Sequence, residues 1–434
     1  MPPTFSPNES LLETAIATSA LSQLNLNSIY PSVAIRDYEP GAFERGDFVK
    51  IRRPKRRQAV DLNPRSSNYT FTEARFFSGE LKLERLWTDG FLTYGYDSAQ
   101  TVGRYVIETA SQIADAIATP NDSYMYSQFR TWAIPSTGVV NLGDHPPVAL
   151  AACIENGLIA PFNNEGLRGA SVFLDKENVP FTDRYCVLSS TAKGAFLGDA
   201  VVVTGFAAAS IGSGELIRSG LGLGKFVERY GFKVAGSNTV SGQNAVSDLD
   251  TGANSSPLAI SAVAVNNDFV YADYNTVTAV GAVKLTLTAT ALQNIAVGQI
   301  ARIGTASVAK AFGVILRVDT VAKEVTLVPY SPSGTKLSAS DIVTATDQFS
   351  IPSIPSINTV NHVEGLAMAT RRLREPSPGS GAVAASITDG ETNITMQIFT
   401  GNYDLGTVSE KNAAYMLTGA KITDFRKCGL ILSL

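Results

Sequence analysis

The chain is 434 residues long, which exceeds one ordinary hydrophobic core and predicts about two or three domains. Its net charge of −4 argues against a dedicated nucleic-acid binder, because proteins that depend on phosphate contacts are usually basic. Three widely spaced cysteines, Cys153, Cys186 and Cys428, argue against a disulfide framework and against a zinc site.

Only 17% of the residues are charged, against roughly 25% in typical soluble domains. A surface that other subunits cover would explain this composition, and so would a β-rich chain with many Thr, Ser and Asn residues.

The N-terminus lacks the basic-then-apolar pattern of a signal peptide. The longest uncharged apolar-rich stretch, residues 200–214, is too short to span a bilayer, so we expect a soluble protein made in the cytosol.

Residues 8–30 predict an amphipathic helix. Ser10 and Glu13 fit a capping box, in which a hydroxyl and a carboxylate each satisfy a backbone N–H, and Pro31 ends the pattern. The predicted apolar stripe includes Leu12, Ile16 and Leu24. Such a stripe must be buried against another surface. We interpret the helix as a detachable arm that contacts a neighbouring subunit, with an ordinary first helix of the core as the alternative.

Residues 46–94 predict a long two-stranded flap. The run Phe48–Arg52 alternates as a strand does, the segment 61–68 is rich in turn residues, and Leu81 and Leu83 lie on the return limb. An isolated two-stranded ribbon is marginally stable in water. We therefore expect the flap to lie on another surface.

The two limbs of the flap differ in charge. The basic residues of the outgoing limb are Arg52, Arg53, Lys55, Arg56 and Arg57, and the acidic residues of the return limb include Glu73, Glu80 and Glu84. Nucleic-acid binding, nuclear import or a solvated strand face would each explain the basic run; complementary contact with an adjacent copy explains both limbs. Exposed ion pairs contribute only about 0–1 kcal/mol each, so these charges would set register while apolar contact supplies adhesion.

A long helix is predicted over residues 98–118, with Asp97 or Ser98 as its N-cap. Its apolar residues recur at helical spacing. Pro120 is expected to end it, because proline removes a backbone donor from a helix interior. A second helical stretch is predicted over Val148–Leu158.

The middle of the chain predicts strands and turns. Tyr185–Leu188 predicts a buried strand. The glycine run 220–224 is not a phosphate loop, because the lysine after it is followed by Phe226 and not by Ser or Thr. Short alternating runs between residues 258 and 328 predict a small β-barrel or sandwich. We interpret residues 241–355 as an insertion into an α+β body that resumes afterwards.

The remaining residues carry few groups suited to catalysis. His362 precedes a predicted helix, and strands are predicted at 394–400, 415–422 and 430–434. The second histidine, His145, also lies far from cysteines or carboxylates at ligand spacing, and the motifs HExxH, GxSxG and CxxC are absent. We expect no catalytic residue, no cofactor and no metal, and hence a protein that is not an enzyme.

Five segments, taken in chain order, carry a family resemblance: Gly46–Ile51, Glu215–Gly220, Gly231–Asn238, Ile394–Tyr403 and Tyr415–Lys421. In this order of parts the chain resembles the major capsid (coat) protein of tailed double-stranded-DNA bacteriophages. The branch it resembles is that of short-tailed phages whose coat carries an inserted β-barrel domain. The resemblance covers nearly the whole chain and lies in layout more than in a sharp motif.

The resemblance implies an α+β tailed-phage major capsid fold in six parts. These would be an N-arm (1–35), an extended E-loop (36–96), the spine helix of the P-domain (97–124), the A-domain and remaining P-domain in their first part (125–240), the inserted β-barrel (241–355) and a return to both domains (356–434).

The resemblance also implies a function and partners. Copies would form hexamers and pentamers of an icosahedral shell around the double-stranded DNA genome, with scaffolding and portal proteins, while a decoration protein is left open. DNA would be contacted without sequence specificity and no membrane would be involved, so the protein would reach the virion after assembly in the bacterial cytoplasm. Two alternatives are an encapsulin-like nanocompartment, against which the large insertion weighs, and another virion component such as a tail or baseplate protein.

Overall fold

A computed structural model describes twelve segments of the chain: residues 7–36, 48–54, 76–94, 102–130, 140–143, 149–198, 227–251, 257–272, 279–373, 383–388, 394–404 and 409–434. The chain divides into two compact units. The first comprises Met1–Asn27, Arg36–Ile117 and Ala367–Thr423, and the second comprises Ser28–Ile35, Ala118–Leu366 and Asp424–Leu434.

The secondary structure is mixed α+β. The described α-helices are α1 (Pro7–Asn27), α2 (Val102–Arg130), α3 (Asn164–Lys176) and α4 (Ser190–Gly198). The described strands are β1 (Phe48–Pro54), β2 (Phe76–Lys82), β3 (Arg85–Tyr94), β4 (Val140–Gly143), β5 (Ala149–Ala152), β6 (Ile154–Glu155), β7 (Leu158–Ile159), β8 (Arg184–Leu188), β9 (Val227–Arg229), β10 (Phe232–Gly236), β11 (Leu258–Ala272), β12 (Ala279–Leu287), β13 (Ile300–Gly304), β14 (Ala309–Asp319), β15 (Glu324–Tyr330), β16 (Gln348–Ser350), β17 (Ser356–His362), β18 (Leu366–Arg371), β19 (Val383–Thr388), β20 (Thr395–Asp404), β21 (Ser409–Ile422) and β22 (Cys428–Ser433).

The first unit is built on a sheet in the order β19–β20–β21, in which β21 also pairs with β3 and β18. Helix α1 packs against β19 and β20. The buried apolar residues of this helix are Ile16, Ala17, Ala20, Leu21 and Leu24. Their spacing of three and four residues places them on one helical face, so the sheet supplies the surface that this face needs.

The predicted flap is only partly a ribbon. Strand β1 pairs antiparallel with β2, from Phe48 opposite Lys82 to Pro54 opposite Phe76, which confirms that the two limbs pair. Beyond Lys82 the prediction is wrong, because β3 leaves the ribbon and forms a ten-residue antiparallel ladder with β21. That ladder pairs the edge of β3 that faces β21 and joins β3 to a larger sheet, which is more stable than a two-stranded ribbon alone.

Helix α2 continues past Pro120 to Arg130, so the prediction that Pro120 ends it is wrong; the predicted cap residues lie outside the described segments. Four apolar or aromatic residues after the proline are buried: Tyr124, Met125, Tyr126 and Phe129. Each large buried side chain contributes about 1.5–3 kcal/mol, whereas an interior proline costs about 3 kcal/mol. Burial of this last part of the helix therefore outweighs the lost hydrogen bond.

The second unit contains a six-stranded sheet in the order β5–β22–β17–β8–β10–β9. The pairs β5–β22 and β8–β10 are parallel, and the other pairs are antiparallel. The predicted buried strand at 185–188 is confirmed as part of β8. Residues of α3 and α4 share one buried apolar cluster with this sheet, including Phe173, Phe196, Val360 and Ile431.

The helix predicted over 148–158 is wrong, because the described part of this range, residues 149–158, forms strands and a turn. The segment holds β5 and then the short hairpin β6–β7, in which Ile154 pairs with Ile159. Asn156 and Gly157 connect the two strands with φ angles of 51° and 81°. Asn-Gly accepts two positive φ angles and is the strongest short hairpin signal. This local turn preference outweighs the apolar spacing that favoured a helix.

The second unit also contains a closed six-stranded barrel. Its strands follow the order β11–β12–β15–β14–β13–β16, and β16 pairs back with β11 to close it. The strands predicted between 258 and 328 are confirmed. The barrel core includes Leu285, Ile303, Ile315, Leu327 and Phe349.

The segments that lead into and out of the barrel lie side by side. The backbone N–H of Gln243 donates to the Ile354 carbonyl at 2.7 Å, and the Ile354 N–H donates back at 2.8 Å. A Cβ atom on Gly242 would lie 2.2 Å from the Ile354 carbonyl oxygen, so this close approach needs glycine. The two ends of the barrel segment are therefore joined at one neck.

Strand β17 is buried along its whole length although most of its residues are polar. Asn358 accepts the Ser189 backbone N–H at 2.8 Å and donates to the Ser433 hydroxyl at 3.0 Å. Asn361 donates to the Val33 carbonyl at 2.8 Å, and the hydroxyls of Tyr30 and Thr359 lie 3.0 Å apart. These bonds connect the strand to chain segments far away in sequence.

The helix predicted after His362 is also wrong. A short 3-10 turn, Val363–Gly365, follows His362 and leads into β18. All six residues of β18 are buried. A strand buried on both faces shows no polar alternation, which is why its apolar run did not distinguish strand from helix.

Replacing Pro120 with Ala should raise the free energy of unfolding, because alanine restores the N–H that bonds to the carbonyl of Ala116 inside α2. We expect a gain of up to about 3 kcal/mol, measured by urea unfolding of Pro120→Ala against wild type. The matched change Ala116→Gly, at an exposed position of the same helix, should instead lose about 1 kcal/mol. A Pro120→Ala protein less stable than wild type would contradict this account.

Candidate intersubunit surfaces

The base of the β1–β2 ribbon is fixed to its own unit. Leu81 and Leu83 are fully buried. A Cβ atom at Gly419 on β21 would lie 2.3 Å from the Lys82 carbonyl oxygen and 2.7 Å from a methyl of Leu81. Only glycine allows this approach of two backbones. The ribbon therefore starts from a tightly packed base.

Beyond its base the ribbon consists of two strands only. Among the described strands, β1 pairs with β2 alone and β2 with β1 alone. Lys50 stands opposite Glu80 in the ladder, whereas Arg52 stands opposite Ser78 and Arg53 opposite Phe77. The register thus gives one basic residue an acidic neighbour across the ladder and leaves both arginines opposite uncharged residues.

The remaining charged residues predicted for the flap fall in several places. Glu84 is exposed in the link between β2 and β3. Lys55, Arg56, Arg57 and Glu73 lie outside the described residues. Their contact with a neighbouring copy stays a prediction, as it does for Arg52, Arg53 and Glu80.

The apolar stripe of the arm is satisfied within its own chain. Ile16 is 2% and Leu24 is 1% exposed, on the helix face that packs against β19 and β20. In this single chain both side chains pack against their own unit. Their contact with a neighbouring copy stays a prediction, and so does the alternative of an ordinary first helix. The structure describes the backbone at Leu12 but not its side chain.

Strand β3 is a surface that the sequence did not single out. Leu86, Trp87 and Phe91 are half-buried, and Leu92 is 46% exposed. Apolar residues at 86, 87, 91 and 92 occupy both faces of the strand. Apolar residues on both faces could have indicated this surface in the sequence, because a strand with one solvent-exposed face carries apolar residues on the other face only.

The described residues offer little for redox or metal chemistry. The three cysteines are buried free thiols. Burial raises the pKa of the Cys153 thiol to about 11 and also raises the pKa values of Cys186 and Cys428. Within the described segments, no three His, Cys, Asp or Glu side chains are grouped to hold a metal ion, and no helix has the length and apolarity to cross a membrane.

Among the described residues, His362 is the best candidate for an acid–base group. It is buried, and its Nδ1 accepts the Glu364 backbone N–H at 3.3 Å, which requires an unprotonated nitrogen. The Glu364 carboxylate pairs with the Lys427 ammonium. Burial and the Lys427 charge lower the pKa of His362, with Arg184 acting the same way and Glu364 and Asp183 opposing. The geometry assigns His362 to capping a turn.

The stability of the protein should fall as pH drops below about 6.5, the ordinary pKa of histidine. Below this pH the histidine side chain binds a proton in the unfolded chain. In the folded chain His362 binds a proton only at a lower pH, because its pKa is lowered. Replacement of His362 by Asn keeps a capping acceptor and should remove the part of the loss that occurs in this window. The measurement is urea unfolding from pH 7.5 to 5; His145→Asn, which leaves His362 in place, serves as the control. Identical pH profiles for wild type and His362→Asn would contradict this assignment.

Comparison with known proteins gives solved structures only. No protein-family model matches the chain, and no curated protein matches it. A Mycobacterium phage Che8 structure has a TM-score of 0.39 at 12% identity and covers 93% of this chain and 90% of its own. The capsid of cyanophage P-SCSP1u has a TM-score of 0.42 at 10% identity, with 94% and 88% covered.

A virus-like particle from Pyrococcus furiosus has a TM-score of 0.37 at 6% identity and covers 96% of this chain and 97% of its own. All three TM-scores are low, so these likenesses carry no argument about function. The solved structures that this chain resembles are mainly phage capsids.

Proposed function

We propose that this chain is the major capsid protein of a tailed phage, a subunit that assembles in many copies into a shell around double-stranded DNA. The observation that carries the proposal is the β1–β2 ribbon. It has a glycine-dependent, fully buried base at Leu81 and Gly419 and, among the described strands, no third strand beside it. A protein that acted alone would have little use for such an element.

The physical argument starts from stability. A two-stranded ribbon is marginal in water by itself, and every residue held in it costs about 1–2 kcal/mol of backbone entropy. Contact with a neighbouring copy supplies the missing burial and hydrogen bonds. Around a closed symmetry each copy both gives and receives this contact, so modest interactions add up over the whole shell.

Charge supports the same conclusion. Arg52 and Arg53 stand opposite uncharged residues in the ladder, and we propose that they contact acidic groups of an adjacent copy. Charge pairs at an interface select orientation and partner more than they add affinity. An acidic surface of an adjacent copy would fix how the ribbon lies.

The proposal assigns the parts of the chain. Residues 1–35 act as the N-arm, 36–96 as the E-loop, 97–124 as the spine helix, and 241–355 as the inserted barrel. Residues 125–240 and 356–434 supply the A-domain and the rest of the P-domain. The neck between Gln243 and Ile354 supports the boundaries of the insertion.

The proposal also assigns partners. Copies form hexamers and pentamers of an icosahedral shell, with scaffolding and portal proteins, in the host cytoplasm. The short-tailed branch is proposed because a barrel lies between the two parts of the body. An encapsulin-like compartment is the rival, and the contents of purified particles separate the two: nuclease-protected DNA favours the capsid and bound enzyme cargo favours the compartment.

The double variant Arg52→Glu/Arg53→Glu should assemble poorly while folding normally. Loss of two proposed ion pairs with an adjacent copy, at about 0–1 kcal/mol each, with repulsion added, should raise the critical concentration for assembly by about tenfold. Sedimentation and electron microscopy measure assembly, and circular dichroism checks folding.

The control is Arg168→Glu/Arg372→Glu, which makes the same change of charge at two exposed positions outside the ribbon. It should assemble like wild type. Normal shells from the ribbon variant would remove the ribbon from the proposal, and a wild-type chain that stays monomeric under all assembly conditions would remove the proposal itself.

A further inference from the structure

Strand β3 has one paired edge and one outer edge. It pairs with β21 from Arg85 opposite Thr418 to Tyr94 opposite Ser409, and none of the other described strands pairs with it. A ten-residue outer edge presents a row of backbone donors and acceptors, which soluble proteins normally shorten, charge or cover. This outer edge can therefore pair with a further strand.

The side chains of β3 are less buried than those of the strand beside it. Ala414 and Met416 on β21 are 0% and 1% exposed, and in the ladder they stand opposite Asp89 and Trp87, which are only half-buried. Side chains on this face of the sheet are therefore less buried at β3 than at β21. An element laid beside β3 would bury the rest of Trp87 and Phe91.

The charges on β3 favour a second copy of the same strand. Arg85 and Asp89 lie two residues to either side of Trp87, and Arg85 is exposed. When two copies of β3 pair antiparallel with Trp87 opposite Trp87, Arg85 of each copy stands opposite Asp89 of the other. Opposite charges directly across an antiparallel ladder are favourable, and like charges are unfavourable.

Neighbouring registers lose this match. If the pairing is centred on Leu86, Arg85 stands opposite Trp87; if it is centred on Thr88, Arg85 stands opposite Phe91. The charge pattern therefore selects one register as well as one direction. A self-complementary pattern is what a two-fold contact between identical copies requires, because each residue pair occurs twice.

We propose that the outer edge of β3 is a two-fold docking strand, which pairs with β3 of a second copy in the register centred on Trp87. The sheet of each first unit then continues into the sheet of the other copy. This inference rests on the proposed function in that both require self-association, and it names a contact separate from the ribbon.

The test is a charge swap read out by analytical ultracentrifugation of the full chain. Arg85→Asp places Asp against Asp and Asp89→Arg places Arg against Arg, so each single variant should weaken dimer formation at least about tenfold. The double variant Arg85→Asp/Asp89→Arg restores opposite charges in the same register and should return to within about threefold of wild type. A double variant as weak as the singles, or singles as strong as wild type, would overturn the inference.

A cysteine scan gives an independent reading of the register. Trp87→Cys stands opposite itself at about 4.5–5.5 Å between Cα atoms, within disulfide reach. Thr88→Cys stands two residues out of register with its copy, beyond about 7 Å. Under mild oxidation position 87 should give a dimer on a non-reducing gel and position 88 should not. The native thiols are buried, and wild type measures their background; equal crosslinking at both positions would overturn the register.

The ribbon variant separates this inference from the proposed function. Arg52→Glu/Arg53→Glu should raise the critical concentration for shell assembly by about tenfold and keep the β3 contact, so its dimer affinity should match wild type. If wild type forms no shells yet the charge swap behaves as stated, the docking strand stands and the capsid role fails. If shells form and the swap has no effect, the capsid role stands and the docking strand fails.

Discussion

The buried polar strand β17 is the constraint on which the second unit depends. An unsatisfied buried polar group costs about 1–3 kcal/mol, and this strand carries Asn358, Thr359 and Asn361 at the centre of a six-stranded sheet. The strand is stable there because partners come from remote parts of the chain, including Tyr30 and Val33 near the start and Ser433 near the end. Hydrogen bonds to remote parts of the chain thus hold this polar strand inside the sheet.

Apolar packing and polar hydrogen bonds have different roles in this unit. Phe173, Phe196 and Ile431 belong to one cluster that joins helices α3 and α4 to the sheet, and the burial of apolar surface there favours folding. The polar strand β17 adds specificity, because a shifted register would leave its amide side chains without hydrogen-bond partners. The proposed role as a shell subunit would need such a rigid body, because a loosely packed subunit would not present its contact surfaces in one fixed arrangement.

Strands with strong local patterns could be predicted from the sequence, and elements decided by tertiary burial could not. The barrel strands follow from alternation and glycine punctuation, and the limbs of the ribbon follow from alternation. Pro120 misled because burial of Met125 and Phe129 outweighs a local helix-breaking preference. The stripe with Ile16 and Leu24 was recognised, but only the fold reveals that β19 and β20 cover it. The edge of β3 went unnoticed because its importance depends on which strands lie beside it.

The neck of the barrel makes that domain a candidate for grafting. Its two ends are held next to each other by the paired hydrogen bonds between Gln243 and Ile354, so a foreign domain with adjacent termini could replace it without stretching the host chain. The exchange would also break other contacts of the barrel segment: the Pro332 carbonyl accepts the Ala152 N–H, the Ala309 N–H donates to the Gly157 carbonyl, and β11 pairs with β4. A replacement domain that restores these contacts could be carried at the same position on the body.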